Sequence, residues 1–288
     1  MDFSVVTASL NQLGPLRSCA ASVADQEGVS LEHVIQDGGT PGFGEFVQEM
    51  NRIWPLRAGY HRTVTSEPDT GMYDGINRGL KKVRGRICGY LNSDEQYLPG
   101  ALAAVLKMFQ DEPKLGAILG DVIVVRPNGS PICYRKMVVP SLAHTWTCHF
   151  SALTAGIFFR RELLDQGLLY DTSYRIVADG DWFVRLLAME TNVGILGKAT
   201  STFMESGQNL GLGTKAKAEA HRLYLGAPWW MRWGRLFWVF RHRLKRLIGG
   251  AYARRTFDYQ IYMPGLPIRK NFHAERLGAV WPGRMWNY

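Results

Sequence analysis

The segment "RICGYLNSDEQYLPG", Arg86 to Gly100, sets a short apolar run directly against a knot of acids. Ile87, Cys88, Tyr90 and Leu91 make up the run, and Asn92, Ser93, Asp94 and Glu95 follow with no basic residue among them. Carboxylates are the side chains that hold hard divalent cations and accept protons. A chain that ends an interior strand on two of them is set up for chemistry at that end.

The elements that must position these acids alternate along the chain. "FSVVTA" reads as a strand, and Leu13, Leu16, Ala20 and Val23 mark a helix face behind it. "LEHVIQD" is a second strand, followed by helical sequence around Phe46 to Ile53. "HRTVTSE" is a third, and "MYDGINRGLKKV" is a helix with Ile76, Leu80 and Val83 on one side. "RICGYLN" is the fourth, and Pro99 in "LPGALAAVLKMFQ" suits the first turn of the next helix. Strands and helices alternating at these lengths predict βαβ units and a parallel sheet. In such sheets ligands sit outside the carboxyl ends of the strands. Those ends read Thr7-Ala8-Ser9-Leu10-Asn11, Gln36-Asp37-Gly38-Gly39, Ser66-Glu67-Pro68-Asp69 and Asn92-Ser93-Asp94-Glu95. Asp37 before two glycines lets a carboxylate meet a ribose or base while the backbone comes close. One such end is an ordinary turn. Four on one sheet edge define a site.

The chain has 288 residues, 46% hydrophobic and 20% charged, which fits one large globular domain or a domain with an appendage. Cys19, Cys88, Cys133 and Cys148 are scattered, with no CxxC pair and no histidine cluster at zinc spacing. They are expected as buried thiols in a reducing compartment, without a structural zinc. "MDFSVVTASLN" opens on an acid and a strand, which is not signal-peptide sequence. No apolar run reaches the roughly 20 residues that span a bilayer, so the expected location is cytoplasmic. The net charge of +9 is uneven: from Lys215 onward there are 15 Lys/Arg against 3 Asp/Glu, and six of the nine tryptophans. This shift predicts a domain of residues 1–214 and a basic, Trp-rich helical tail of residues 215–288.

Taken in order, "QDGG", "SEPDTGMYDGINRGL", "GYLNSDEQYLPGAL" and "VADGDWFVRL" resemble the family 2 inverting glycosyltransferases of the GT-A fold, most of all bacterial enzymes that build exopolysaccharide or O-antigen chains. The resemblance covers residues 3–210. It implies an α/β fold with a Rossmann-like, mostly parallel sheet flanked by helices. It also implies transfer of a sugar from a nucleotide-diphosphate sugar to a lipid-linked or oligosaccharide acceptor. By the same resemblance Thr7, Ser9 and Asn11 stand where the first loop contacts the nucleotide, and Asp37 where an acid binds the nucleoside. Glu67, Asp69 and Asp74 line the donor pocket. Asn92 and Ser93 open the DxD position, and Asp94 keeps the carboxylate that ligates Mg²⁺ or Mn²⁺. Asp179 is the position of the catalytic base. The cation neutralises the departing diphosphate, and a separate carboxylate takes the acceptor's proton. Direct displacement with one base inverts configuration. This chain departs from the pattern at Asn92, which replaces the first DxD acid. "TPGFGE" follows the glycines in place of the usual continuation, and "SALTAGIFFRREL" lacks the His-Gln that often precedes it.

Asp181 reads equally as part of a helix start, and Glu95 as a helper at the metal. "DVIVVRPNGSPICYRK" is a hairpin with Asn128-Gly129 at its turn. "ESGQNLGLG" is either a loop over the donor or a linker. In the tail, Trp230, Trp233, Phe237, Phe240, Leu244 and Leu247 recur at alternating three- and four-residue spacing, a helical stripe. Arg232, Arg235, Arg241, Arg243, Lys245 and Arg246 occupy much of the rest. A helix from Pro228 to Ile248 of this kind is expected either to lie on an anionic membrane surface, placing the enzyme on the inner face of the plasma membrane, or to pack on the catalytic domain. Two other classes fit parts of the chain. A nucleotidyltransferase shares the sheet but opens on a glycine-rich basic phosphate loop, whereas the first loop here has only Gly14. A non-catalytic binder of lipid or nucleic acid explains the tail but not the acids at four strand ends, which repel phosphates. No nucleic-acid partner is expected.

Overall fold

The computed structural model describes residues 1–207 and 213–281. Phe3–Ser9 is β1, Leu13–Ala24 α1, Leu31–Asp37 β2, Phe43–Ile53 α2, Tyr60–Ser66 β3, Met72–Leu80 α3 and Ile87–Tyr90 β4. β2 and β4 are buried along their whole length, as strands covered on both faces are. β3, β2, β1 and β4 lie side by side and parallel. Their register sets Ser9 beside Asp37 and Asp37 beside Ser66. Three of the four polar strand ends are thereby level on one edge.

Gln96–Tyr97 is β5, Ala101–Asp111 α4, Ala117–Val125 β6, Pro131–Arg135 β7, Leu142–Thr147 α5, Ile157–Arg160 β8, Glu162–Asp165 α6, Ala178–Ala188 α7 and Val193–Met204 β9. The sheet continues from β4 through β8, β6 and β9 to β5, with β7 on β6. This half is mixed: β8 runs antiparallel to β4 and β6, and β9 parallel to β6. β6 and β7 form the expected hairpin around Asn128-Gly129, and a tight turn makes such a pair antiparallel. One face of the sheet buries Phe3, Val5, Leu31 and Phe158 with α1 and α4. The other buries Val6, Val34 and Ile157 with Ile76 of α3 and Trp182 and Phe183 of α7. Val5 and Val6 part to opposite faces because strand side chains alternate.

The segment after the described gap is helical, then not. Thr214–Leu225 is α8, Trp229–Trp233 α9 and Arg235–Ile248 α10, but Arg255–Tyr262 (β10) and Arg269–Leu277 (β11) pair as an antiparallel hairpin. The expectation of a wholly helical tail is corrected here. "RTFDYQIY" alternates with period two, a pattern that a count of charges and tryptophans does not register. Tyr259, Ile261 and Ala274 of the hairpin share a core with Leu98, Ile123, Val125 and Tyr134. Phe272 lies over Gly129, where a side chain would meet its ring. Arg269 grips both oxygens of Asp25 at 2.6 and 2.7 Å. Gln96 and Tyr262 exchange hydrogen bonds of 3.0 and 2.8 Å.

The apolar stripe of α9 and α10 faces outward. Trp233 is 88% exposed, Leu236 85%, Phe240 64% and Leu247 63%. The inner face instead carries Met231, His242 and Arg246, all buried. Arg246 is thus corrected from a surface charge to an interior one, its guanidinium lying over the Tyr252 ring. Among the described residues no helix is long and apolar enough to cross a membrane.

Candidate active site

Three of the four polar strand ends meet as the register requires, and the four are not equally available. Asp37 is fully buried and accepts from the Gly39 and Thr40 amides at 3.0 and 2.7 Å. It also accepts from the Thr40 and Ser66 hydroxyls at 2.5 and 2.6 Å. Its carboxylate therefore braces the glycine turn and ties β2 to β3. Thr40 in turn accepts from the Asn11 amide at 2.8 Å, so the first loop rests on the same brace. Asn11 has φ of 55°, the left-handed region that asparagine tolerates.

Thr7 is corrected by the structure. It points inward to His33 Nε2, 3.0 Å away, and to Cys19, and is fully buried there. Two residues on, Ser9 ends the strand with a buried hydroxyl that has no partner among the described residues. Ser9 and Asn11 remain the first loop's candidates for ligand contact.

The "SEPDTG" segment enters α3. Asp69 accepts from the Gly71 amide at 2.9 Å and nestles where Gly38 and Gly75 lack side chains, an added Cβ lying 3.1 and 3.0 Å from its Oδ2. Asp74 accepts from the Thr70 amide at 3.0 Å and from Arg78 at 2.9 Å. The Thr70 amide is the foremost cause that holds its pKa below the ordinary carboxylate value. Arg78 also pairs with Glu67 at 3.3 Å. Asp74 and Glu67 are thus bound to neighbours, with Asp69 the most closely packed of the three.

At the end of β4 the acids divide. Glu95 is fully buried and turned back onto Asn92, accepting from its amide at 2.8 Å and its side-chain nitrogen at 3.0 Å. Asn92 also accepts from the Tyr90 hydroxyl. Burial, then the neighbouring Asp94, pushes Glu95 up to about 8. Asp94 itself receives no hydrogen bond from any other described residue, and burial raises its pKa. A desolvated carboxylate without a protein donor is a fit place for a cation. Glu95 thus shapes the loop and leaves Asp94 as the open oxygen donor, with Ser93 buried between Asn92 and Asp94.

Asp179 arrives from the far end of the sequence in the first turn of α7. It lies within electrostatic reach of Glu95, and burial pushes it up to about 6. Asp181, two residues on, is paired with Arg185 at 2.8 Å along the helix. The floor is aromatic: Tyr73, Tyr170 and Trp182 stack at centroid spacings of 5.4 and 5.7 Å. Tyr73 donates to the Ile176 carbonyl at 2.8 Å, just before α7. These rings supply the low-dielectric surroundings that raise the acids.

Two further positioning residues carried no signal of their own. Glu219 of α8 accepts from the amides of Arg175, Ile176 and Val177 at 2.9, 2.9 and 3.1 Å, bracing the segment that leads into α7. Arg175 donates to the Thr70 carbonyl and closes the "SEPDTG" loop against that entry. Most of "ESGQNLGLG" lies outside the described residues.

A parallel βαβ half, a mixed second half and acids gathered at the strand ends define a glycosyltransferase of the GT-A fold. The chain belongs to glycosyl transferase family 2, whose profile matches residues 4–164. It is 27% identical over 188 residues to the PGL/p-HBAD biosynthesis glycosyltransferase of Mycobacterium tuberculosis, covering 64% of this chain and 68% of that one. It is 24% identical over 204 residues to the minor teichoic acid biosynthesis protein GgaA of Bacillus subtilis, covering 67% of this chain and 44% of that one. Among solved structures, S. aureus TarS 1-349 in complex with UDP superposes with a TM-score of 0.58 at 17% identity, over 87% of this chain and 75% of that one. The mannosyltransferase PcManGT from Pyrobaculum calidifontis, in complex with GDP-Man and Mn²⁺, gives 0.54 at 17% identity, over 84% and 75%.

Proposed function

We propose that this glycosyltransferase moves a sugar, with inversion, from a nucleotide-diphosphate sugar to a lipid-linked or oligosaccharide acceptor in surface-glycan synthesis. The observation that carries the reading is the division of labour between Asp94 and Asp179. One is a half-buried carboxylate at the end of β4 without a hydrogen-bond donor among the other described residues, the other a second acid held across the site with its affinity for protons raised. Ser9, Asn11, Asp37, Asp69 and the Asn92–Ser93 turn form the donor side, with Asp37 acting through the loop it braces. Mg²⁺ or Mn²⁺ held by Asp94 would neutralise charge on the leaving diphosphate. Asp179 accepts the proton of the acceptor hydroxyl as its oxygen bonds to the anomeric carbon. The bond from that carbon to the diphosphate oxygen breaks, and the nucleoside diphosphate leaves. The names of the relatives, one in PGL/p-HBAD and one in teichoic acid biosynthesis, support an acceptor in envelope glycans.

Thermal melts with UDP, GDP and ADP, each with and without Mn²⁺, test this. Stabilisation by at least one diphosphate is expected only with Mn²⁺, because ligand that binds the native state raises stability by mass action. Asp94→Asn should melt normally alone and lose that effect. Equal, Mn²⁺-dependent stabilisation in the variant would remove Asp94 from the metal.

The exposed stripe of α9 and α10 supports docking on an anionic bilayer at the inner face of the plasma membrane. Trp229, Trp230, Trp233, Leu236, Phe237 and Phe240 stand out from the surface with Arg241 beside them. A patch of this kind on a soluble surface marks an interaction site, and tryptophan favours the headgroup boundary.

A further inference from the structure

Three imidazoles, two close in sequence and one remote, come together beneath α10. His144 lies in α5, His149 just beyond it, and His242 on the inner face of α10. Their ligand atoms all fall within 4.8 Å of one another. His144 and His242 stack at 3.9 Å between ring centroids, and His149 meets His144 edge-on at 4.6 Å. His144 is fully buried, and neither of its ring nitrogens has a hydrogen-bond partner among the described residues. His242 is 6% exposed, and among the described residues its Nε2 likewise has none. Buried polar atoms left in this state are rare and costly.

We propose that His144, His149 and His242 form a binding site for a zinc-class transition-metal ion that fastens α10 to α5, separate from the oxygen-lined site at Asp94. Neutral imidazole nitrogen suits zinc and its neighbours in the first row, whereas Mg²⁺ takes oxygen. Zn–N bonds of about 2.0–2.1 Å imply nitrogens roughly 3.3 Å apart in a tetrahedral site, so loading would draw the rings together and unstack His144 from His242. His149, partly exposed, gives the ion a way in. Arg135 and Arg246 lie near enough to act on these rings. They oppose a bare dication, and they favour hydroxide or another anion at the fourth position that a three-histidine site leaves open.

The expectation of no structural zinc rested on spacing along the chain. His144 and His149 are five residues apart, but the third ligand comes from α10, and only packing brings it there. The proposal holds whether or not α10 meets a membrane.

Co²⁺ titration of chelator-treated, full-length protein tests it, run on both the wild type and an Asp94→Asn variant. One equivalent of Co²⁺ should give the strong visible bands of a tetrahedral site in both proteins, bleached by Zn²⁺. Saturating Zn²⁺ should raise the melting temperature by roughly 5 °C or more. His242→Gln and His144→Gln should each lose the bands, while His221→Gln, altered in an exposed histidine of α8, keeps them. Absence of tetrahedral bands in the wild type overturns the proposal and leaves a packed aromatic cluster. Their persistence in both His242→Gln and His144→Gln overturns it equally.

Discussion

At the scale of single residues, the site works by giving similar carboxylates different surroundings. Asp179 is raised to about 6 by burial, so it is deprotonated and able to act as base only as pH climbs through that value. The acid limb of kcat/KM should therefore bend near pH 6, falling below it. Asp179→Asn should keep donor binding and lose about 10²–10⁴-fold in turnover, the usual worth of a general base. A variant with wild-type kcat would move the base elsewhere. Glu95 makes a stability prediction. Its folded value of about 8 lies above the ordinary 4.5, so the native chain keeps a proton that the unfolded chain releases between them. Its contribution is complete below about pH 4.5 and is lost as pH rises to about 8. Urea unfolding in chelator should show stability falling across that window, and Glu95→Gln should flatten the slope. An unchanged slope would mean that Glu95 is already ionised in the native state.

Elements place these residues through contacts distant in sequence. α7 brings Asp179 to the site, and the segment leading into it is held by Glu219 from α8, which accepts from the three backbone amides of Arg175, Ile176 and Val177 just before the helix. Glu219→Ala should cost about 1–3 kcal/mol, as loss of hydrogen bonds to a charged group does. It should also lower kcat more than it weakens binding of a nucleoside diphosphate, because Asp179 shifts while the strand-end loops do not. Denaturant melts and steady-state kinetics check both parts. Equal losses in binding and turnover would show instead that α8 supports the whole pocket. Arg78, Arg160 and Arg161 are engaged with Asp74 and Glu67, with the carbonyls of Leu115 and Pro113, and with Asp165.

For the whole molecule, the exposed stripe and the charge behind it predict a salt-sensitive, two-part attachment to lipid. Wild-type protein should sediment with anionic vesicles at low salt and less so at 1 M, where screening shortens to about 3 Å. Arg241, Arg243 and Lys245 changed together to Gln should weaken that attachment, each basic residue near such a surface being worth about 1 kcal/mol. Arg246 is left in place because it is interior. Trp233→Ser with Leu236→Ser should remove the part that salt does not. Activity on a soluble acceptor analogue should survive both sets. Failure of the wild type to sediment at low salt would assign the stripe another partner.

What the sequence determined by itself was local. Period-two and helical spacing set β1 to β4 with their helices, and small or acidic residues at the strand ends marked where a ligand belongs. Asp94 and Asp179 could be singled out because their motifs are short and stand in order. Tertiary structure decided everything that depends on which way a side chain turns or on what arrives from afar. Thr7 and Ser9 are two residues apart on one strand, yet Thr7 is spent on His33 inside while the Ser9 hydroxyl has no partner among the described residues. Glu95 and Asp94 are adjacent, yet one turns inward to Asn92 and the other stays open. The pairing of β10 with β11, the Glu219 brace and the meeting of three histidines depend on long chain closures, and no window of neighbouring residues contains them. The stripe on α10 was legible as a pattern, but only packing showed that its polar face, with His242 and Arg246, is the one that turns inward.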